Sequence, residues 1–168
     1  MRPKKVSQFV RNGGEDDLSM EALVELIKAV TEKGKPFRVQ ALGFSMYPFI
    51  RNKDYITISP LNSHHPRLGD VVAFIQPKTR KLIVHRIIES KGDHYLIKGD
   101  NTPAPDGLIP KANILGYVTS VDKDGKLIRF GSGFEKVFVA LLSRKNLLRP
   151  TLHITYRLVG PVIRRIKA

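Results

Sequence analysis

Hydrophobic and polar positions follow three successive rhythms along this chain. Over residues 18–33, apolar side chains fall at Met20, Leu23, Val24, Ile27 and Val30. That i, i+3, i+4, i+7 spacing lines one face of a helix. Asp17 or Ser19 can cap its start, and Gly34 ahead of Pro36 ends it. From residue 37 to 130 the period shortens. The β-branched runs FRVQAL, YITISPL, DVVAFI, KLIVHRIIES, HYLIKG, ILGYVTSV and KLIRF are separated by turn formers such as Asn52, Pro60, Gly92 and Gly125. Many short strands joined by turns predict a mainly β, antiparallel domain. Beyond the Gly-Ser-Gly at 131–133, helical spacing returns at Phe134, Val137, Phe138, Leu141 and Leu142, until Pro150 and Pro161 interrupt it. The expected organisation is an N-terminal arm with an amphipathic helix (1–36), a β domain (37–130) and a basic amphipathic C-terminal segment (131–168). With 168 residues, 42% of them hydrophobic, the chain can bury one sizeable core.

One polar residue sits oddly in this pattern. Ser45 stands between Phe44 and Met46 in the stretch ALGFSMYPFIRNKDYITI (41–58), three residues before Pro48, where a strand opens into a loop. Downstream, His85 lies inside a strand between apolar neighbours, and Asp100 and Asp106 lie in a Gly/Pro-rich loop. Serine, histidine and aspartate are the nucleophile, base and base-orienting group of a hydrolytic triad. Each also has a plainer reading. Ser45 can be a loop serine, and alternation along KLIVHRI puts His85 on the face of Ile83 and Ile87, where a core histidine would sit. Aspartate is common in turns because its carboxylate bonds nearby backbone N–H groups. The pair His64-His65 reads as a solvated loop, since adjacent residues on an extended segment point opposite ways and no third ligand is near.

Four segments in order, Gly43-Phe44-Ser45-Met46-Tyr47-Pro48, Gly69-Asp70-Val71-Val72, Val84-His85-Arg86-Ile87 and Lys98-Gly99-Asp100-Asn101, resemble the type I signal peptidases and their relatives, the self-cleaving repressor peptidases. The resemblance runs from about residue 37 to 121. It implies a serine endopeptidase with Ser45 as nucleophile and, in place of the lysine of bacterial members, His85 as general base. That histidine marks the endoplasmic-reticulum and archaeal type, whose further aspartate corresponds to Asp106, leaving Asp100 to order the loop through backbone N–H groups. The oxyanion would be held by the Ser45 N–H with a second donor, because Gly43 lacks the hydroxyl many members carry there. Phe44, Met46 and Pro48 would contact a substrate lying extended along residues 37–42, with small residues favoured before the cut. Where members usually carry a membrane anchor, a soluble helix is expected over residues 18–33, which makes the chain resemble small soluble relatives that process a dedicated peptide. No metal or organic cofactor is implied.

Charge adds a partner to this picture. The net charge is +14, and from Lys136 onward Lys136, Arg144, Lys145, Arg149, Arg157, Arg164, Arg165 and Lys167 occur without a single acid, interleaved with leucines. A cationic amphipathic segment of this kind fits an anionic membrane surface. A helical extension packed on the β domain, or a docking arm for a protein, fits the same residues. Nucleic acid is set aside for want of a recognition fold or stacking aromatics. Without cysteine, disulfides and thiolate metal sites are excluded. The basic start has no apolar h-region, and no apolar run approaches about 18 residues, so the expected address is cytoplasmic with peripheral membrane association. The rivals are a catalytically inactive peptide- or membrane-binding module of the same fold and a self-cleaving regulator, for which the helix before residue 37 is too short a DNA-binding domain. On this division, removing residues 134–168 is expected to leave the β domain folded.

Overall fold

The computed structural model describes residues 19–62, 64–129, 135–145 and 147. Helix α1, Met20–Glu32, starts where the Ser19 hydroxyl accepts the Ala22 N–H at 3.2 Å, so Ser19 is the cap. It stops at Gly34, whose φ of 70° is the left-handed turn a side chain would resist. Its inner face carries Val24, Ile27 and Thr31, all buried.

The β region forms one eight-stranded antiparallel sheet. Its strands are β1 (Phe37–Gln40), β2 (Tyr55–Ser59), β3 (Val71–Ile75), β4 (Leu82–Lys91), β5 (His94–Lys98), β6 (Gly107–Pro110), β7 (Ile114–Lys123) and β8 (Lys126–Arg129). Neighbours run β1-β2-β7-β3-β4-β5-β6, with β8 paired to β7. β3 is buried on both faces, which is why VVAFI lacks polar alternation. Its Val71 and Ala73 enter a cluster with Ile27, Ile56, Ile58 and Val121, while Val72 and Phe74 enter a second with Ile87, Ile97 and Ile109. Burial pushes the phenol of Tyr95, in this second cluster, above its ordinary pKa, and Asp93 and Asp70 add to the shift.

The mainly β antiparallel fold is as expected, but two details differ. β6 lies in what the sequence presents as a loop. Four residues bounded by Asp106 and Pro110 carry little strand signal, and Gly107–Pro110 is a strand because its partner β5 supplies the pairing. The C-terminal helix α2, Glu135–Arg144, is also not a detached segment over its described length. Ala140 and Ser143 are fully buried, and Lys136 Nζ donates to Asp70 at 2.7 Å. The buried Lys98 ammonium donates to the Ser143 carbonyl at 2.7 Å, and Arg144 pairs with Glu89 at 3.1 Å. A Cβ on Gly69 would lie 2.5 Å from the Lys136 carbonyl oxygen, so glycine is what lets the helix approach. Of the alternatives the sequence leaves open, this stretch takes the helical extension packed on the sheet. Residues 131–133 and 148–168 lie outside the described residues.

This packing changes the outcome of truncation. A chain ending at residue 133 takes Lys136 from Asp70 and the Ser143 carbonyl from Lys98, and it uncovers the surface on which Ala140 and Ser143 pack. Each hydrogen bond to a charged group contributes about 1.5–3 kcal/mol, and two are lost. Urea unfolding of the two chains should show a loss of at least about 3 kcal/mol; equal midpoints and slopes would return α2 to the status of an appendage.

Candidate active site

Ser45 sits in a tight turn, 43–50, between β1 and β2. The turn closes on itself through Tyr47 N–H to Phe44 O (3.2 Å) and Ile50 N–H to Met46 O (3.0 Å), and it contains a cis Tyr47-Pro48 peptide. Gly43 enters it at φ 92° while donating its N–H to Asn52 Oδ1 at 2.9 Å. Lys123 Nζ donates to the Pro48 carbonyl at 3.2 Å from the far end of β7. Burial pushes that ammonium below the ordinary lysine pKa, with Asp54 opposing the shift and Arg51 adding to it.

His85 is on β4, in register with Val72 of β3, and only 6% exposed. Its Nδ1 lies 2.7 Å from Asp106 Oδ2. A carboxylate accepts, so Nδ1 is the nitrogen that donates to Asp106. Asp106 is held at both ends of its backbone: its N–H donates to Ile97 O at 2.8 Å, and its carbonyl accepts the Gln76 side-chain amide at 2.9 Å. Gln76 is a support that sequence reading missed; as a polar residue closing an apolar strand, it carried no distinguishing signal.

Gly99 joins the two halves. A Cβ there would lie 2.8 Å from the Ser45 carbonyl oxygen and 2.9 Å from His85 Nε2. The turn and the imidazole therefore flank the same spot, which only hydrogen can occupy. Asn101 secures the juxtaposition, its N–H donating to Ser45 O at 2.7 Å and its Nδ2 to Phe44 O at 3.2 Å. The Ser45 hydroxyl and His85 Nε2 do not hydrogen-bond each other in this structure. Such contacts are often long without substrate and tighten when it binds.

Asp100 is fully buried and does its ordering through a different partner from the one expected. Both its oxygens accept from Arg86, Nε at 2.8 Å and Nη2 at 2.7 Å, while Arg86 Nη1 donates to Gly69 O at 2.8 Å. The guanidinium carbon also lies 5.4 Å from the centre of the Phe49 ring. Arg86 follows His85 directly, so strand alternation sends one to the site and the other beneath it. His64 is likewise not a solvated loop residue. It stacks on Tyr117 with ring centres 4.0 Å apart and bonds Asp70 at 2.9 Å, whereas His65 is exposed.

Ser45 and His85 line a common cleft of about 360 Å³. Val39 and Gln40 of β1, their continuation to Gly43, residues 82–85 of β4, and Met46, Ile50 and Ile56 also line it. Of the three expected substrate contacts, Met46 lines this cleft and is buried. Phe44 is 65% exposed, and neither it nor Pro48 is among the lining residues.

Sequence comparison agrees with this architecture. The family model described as Peptidase S24-like matches residues 8–119, well over half of the chain. No curated protein matches it. Among the described residues, no helix is long and apolar enough to cross a membrane. The chain belongs to the Peptidase S24-like family.

The Gly99 contact generates a test of this assembly. Gly99→Ala must push the Ser45 turn away from the histidine, and overpacking of this kind costs about 1–3 kcal/mol. Thermal unfolding should register that loss, and the His85 ring resonances in NMR spectra should move. Unchanged stability and resonances would mean the two segments are not held in contact.

Proposed function

Starting from membership of the Peptidase S24-like family, we propose that this protein is a serine endopeptidase working by a Ser45-His85-Asp106 triad. The observation that carries the reading is the 2.7 Å His85–Asp106 bond, made on the wall of a cleft that Ser45 also lines. Asp106 fixes the tautomer that leaves Nε2 free to accept a proton. Ser45 Oγ attacks the scissile carbonyl carbon as its proton passes to His85 Nε2. The imidazolium then gives that proton to the leaving amine as the C–N bond breaks, and water hydrolyses the acyl-serine by the same relay. The Ser45 N–H is the proposed oxyanion donor.

The cleft geometry supports an extended substrate. β1 is an edge strand, paired only with β2. β5 joins β4 from Arg86 onward, which leaves the edge at 82–85 open on the cleft side. A peptide between two open edges can satisfy its backbone on either side by strand addition. The resemblance to signal peptidases bears on which precursor is cut, and processing of a dedicated peptide is the finer proposal.

Digestion of a peptide library, read by mass spectrometry, tests this. Ser45→Ala and His85→Ala should reduce cleavage to background with folding retained. Asp106→Asn should lower kcat by about 10⁴, the effect of losing the correct tautomer. Cleavage surviving in Ser45→Ala would refute the mechanism, and a wild-type chain that binds but never cuts would favour the inactive-module reading. Shortening of the purified chain itself, dependent on Ser45, would favour self-cleavage.

For a partner we propose an anionic membrane surface. On α2 and just after it, Phe138, Leu141 and Leu147 are exposed beside the exposed Arg144 and Lys145, and the sequence from Lys136 onward is cationic without acids. Exposed apolar groups flanked by cations match an interface of headgroups over acyl chains, which gives peripheral association. Co-sedimentation with phosphatidylserine vesicles should fall at least about tenfold in Phe138→Glu/Leu141→Glu and weaken with salt. Equal binding by both proteins would remove this face from the interaction.

A further inference from the structure

The cleft has one wall that the β region does not supply. Leu23 of α1 lines it, together with β1, the Ser45 turn, β2 and the open stretch of β4. Leu23 is half-buried and packs against the core cluster that contains Ile27, so one flank is anchored while the other borders the cleft. The α1 residues that continue its line, Leu26 and Val30, pack on that same core cluster and do not line the cleft. The helix therefore meets the cleft through a single side chain.

The lining is also free of formal charge. In a chain that is 26% charged, none of the residues bordering the cleft is Asp, Glu, Lys or Arg. Apart from Ser45 and His85, the polar side chain among them is Gln40, whose amide is turned to the Lys53 carbonyl at 3.2 Å. A charged substrate side chain placed here would lose its hydration without gaining a partner. An apolar side chain would release water from Leu23, Val39, Met46 and Val84.

We infer that Leu23 is a specificity-determining residue. Helix α1 closes one side of the substrate cleft, and Leu23 sets the size of the apolar side chain accepted from an extended peptide. The inference rests on the peptidase reading above. Leu23→Ala widens the cleft by three carbons, Leu23→Phe narrows it, and Leu23→Met keeps the volume nearly constant.

The test compares these proteins on an otherwise fixed peptide series with Ala, Val, Leu, Phe, Asp or Lys at each position in turn. A methylene more or less in an apolar pocket changes discrimination by about 10–200-fold. At one position the wild type and Leu23→Met should share one ranking of the apolar side chains and reject Asp and Lys. There, the Phe-to-Ala ratio of kcat/KM should rise at least about tenfold in Leu23→Ala and fall by a similar factor in Leu23→Phe. A ranking identical in all four folded proteins would overturn the role of Leu23, and acceptance of Asp or Lys as readily as Leu would overturn the apolar class. Binding of the same peptides to Ser45→Ala, followed by fluorescence anisotropy with each Leu23 substitution added, separates this inference from the enzymatic one. A size ranking that shifts in binding while no protein cuts would uphold the cleft wall and overturn the peptidase. Cutting by the wild type with an unshifted ranking would do the reverse.

Discussion

The buried pair of Arg86 and Asp100 is the constraint around which this molecule is arranged. Arg86 reaches the loop after β5 through Asp100, the segment before β3 through the Gly69 carbonyl, and the Ser45 turn through the Phe49 ring. Three segments far apart in sequence thus meet on one guanidinium, whose planar fork suits such bidentate contact. A buried ion pair contributes little net stability over a well-packed apolar replacement. What it does supply here is position. With the loop held from below, Gly99 is pressed between Ser45 and His85, and Asn101 is brought to the backbone of the Ser45 turn.

A second convergence involves Asp70. Its carboxylate accepts the Arg67 N–H, His64 Nε2 and Lys136 Nζ, while its backbone pairs with Ile87. The segment before β3 is thereby tied both to α2 and to the strand that carries His85. Lys98, one residue before Gly99, meets the end of α2 at Ser143. Both ends of the helix are therefore wired to segments that adjoin β4 and the Ser45 turn, and α1 enters the cleft directly through Leu23. The β sheet supplies the site's frame, and the two helices are part of it.

The cleft joins this frame to the proposed chemistry. Its two open strand edges offer backbone groups to an extended chain, and its uncharged lining offers burial to apolar side chains. The His85–Asp106 pair stands at one wall, already ordered by groups that need no substrate, Ile97 and Gln76. Preorganisation of the base costs nothing at the moment of reaction. The serine hydroxyl remains to be brought to Nε2, and an occupied cleft is what would align it.

Periodicity alone determined the class of fold, because burial on a pleated strand or one helix face writes itself into neighbouring residues. It separated α1 from the sheet, located seven of the eight strands and showed β3 as an unbroken apolar run. The short motifs around Ser45, His85 and Asp106 marked residues worth bringing together. Periodicity was silent about β6, whose pairing comes from β5 and not from its own four residues. It misread the start of the C-terminal segment as separable, since the same amphipathic spacing suits a membrane surface and a sheet. The packing of its inner face on the sheet depends on Gly69, Asp70 and Lys98, which lie tens of residues away. Likewise, nothing near Asp100 announces that Arg86 is its partner, and nothing in α1 announces that Leu23 borders a cleft. Those relations exist only once chain segments distant in sequence share one dry space, where a buried charge must find its opposite and two atoms cannot occupy the same volume.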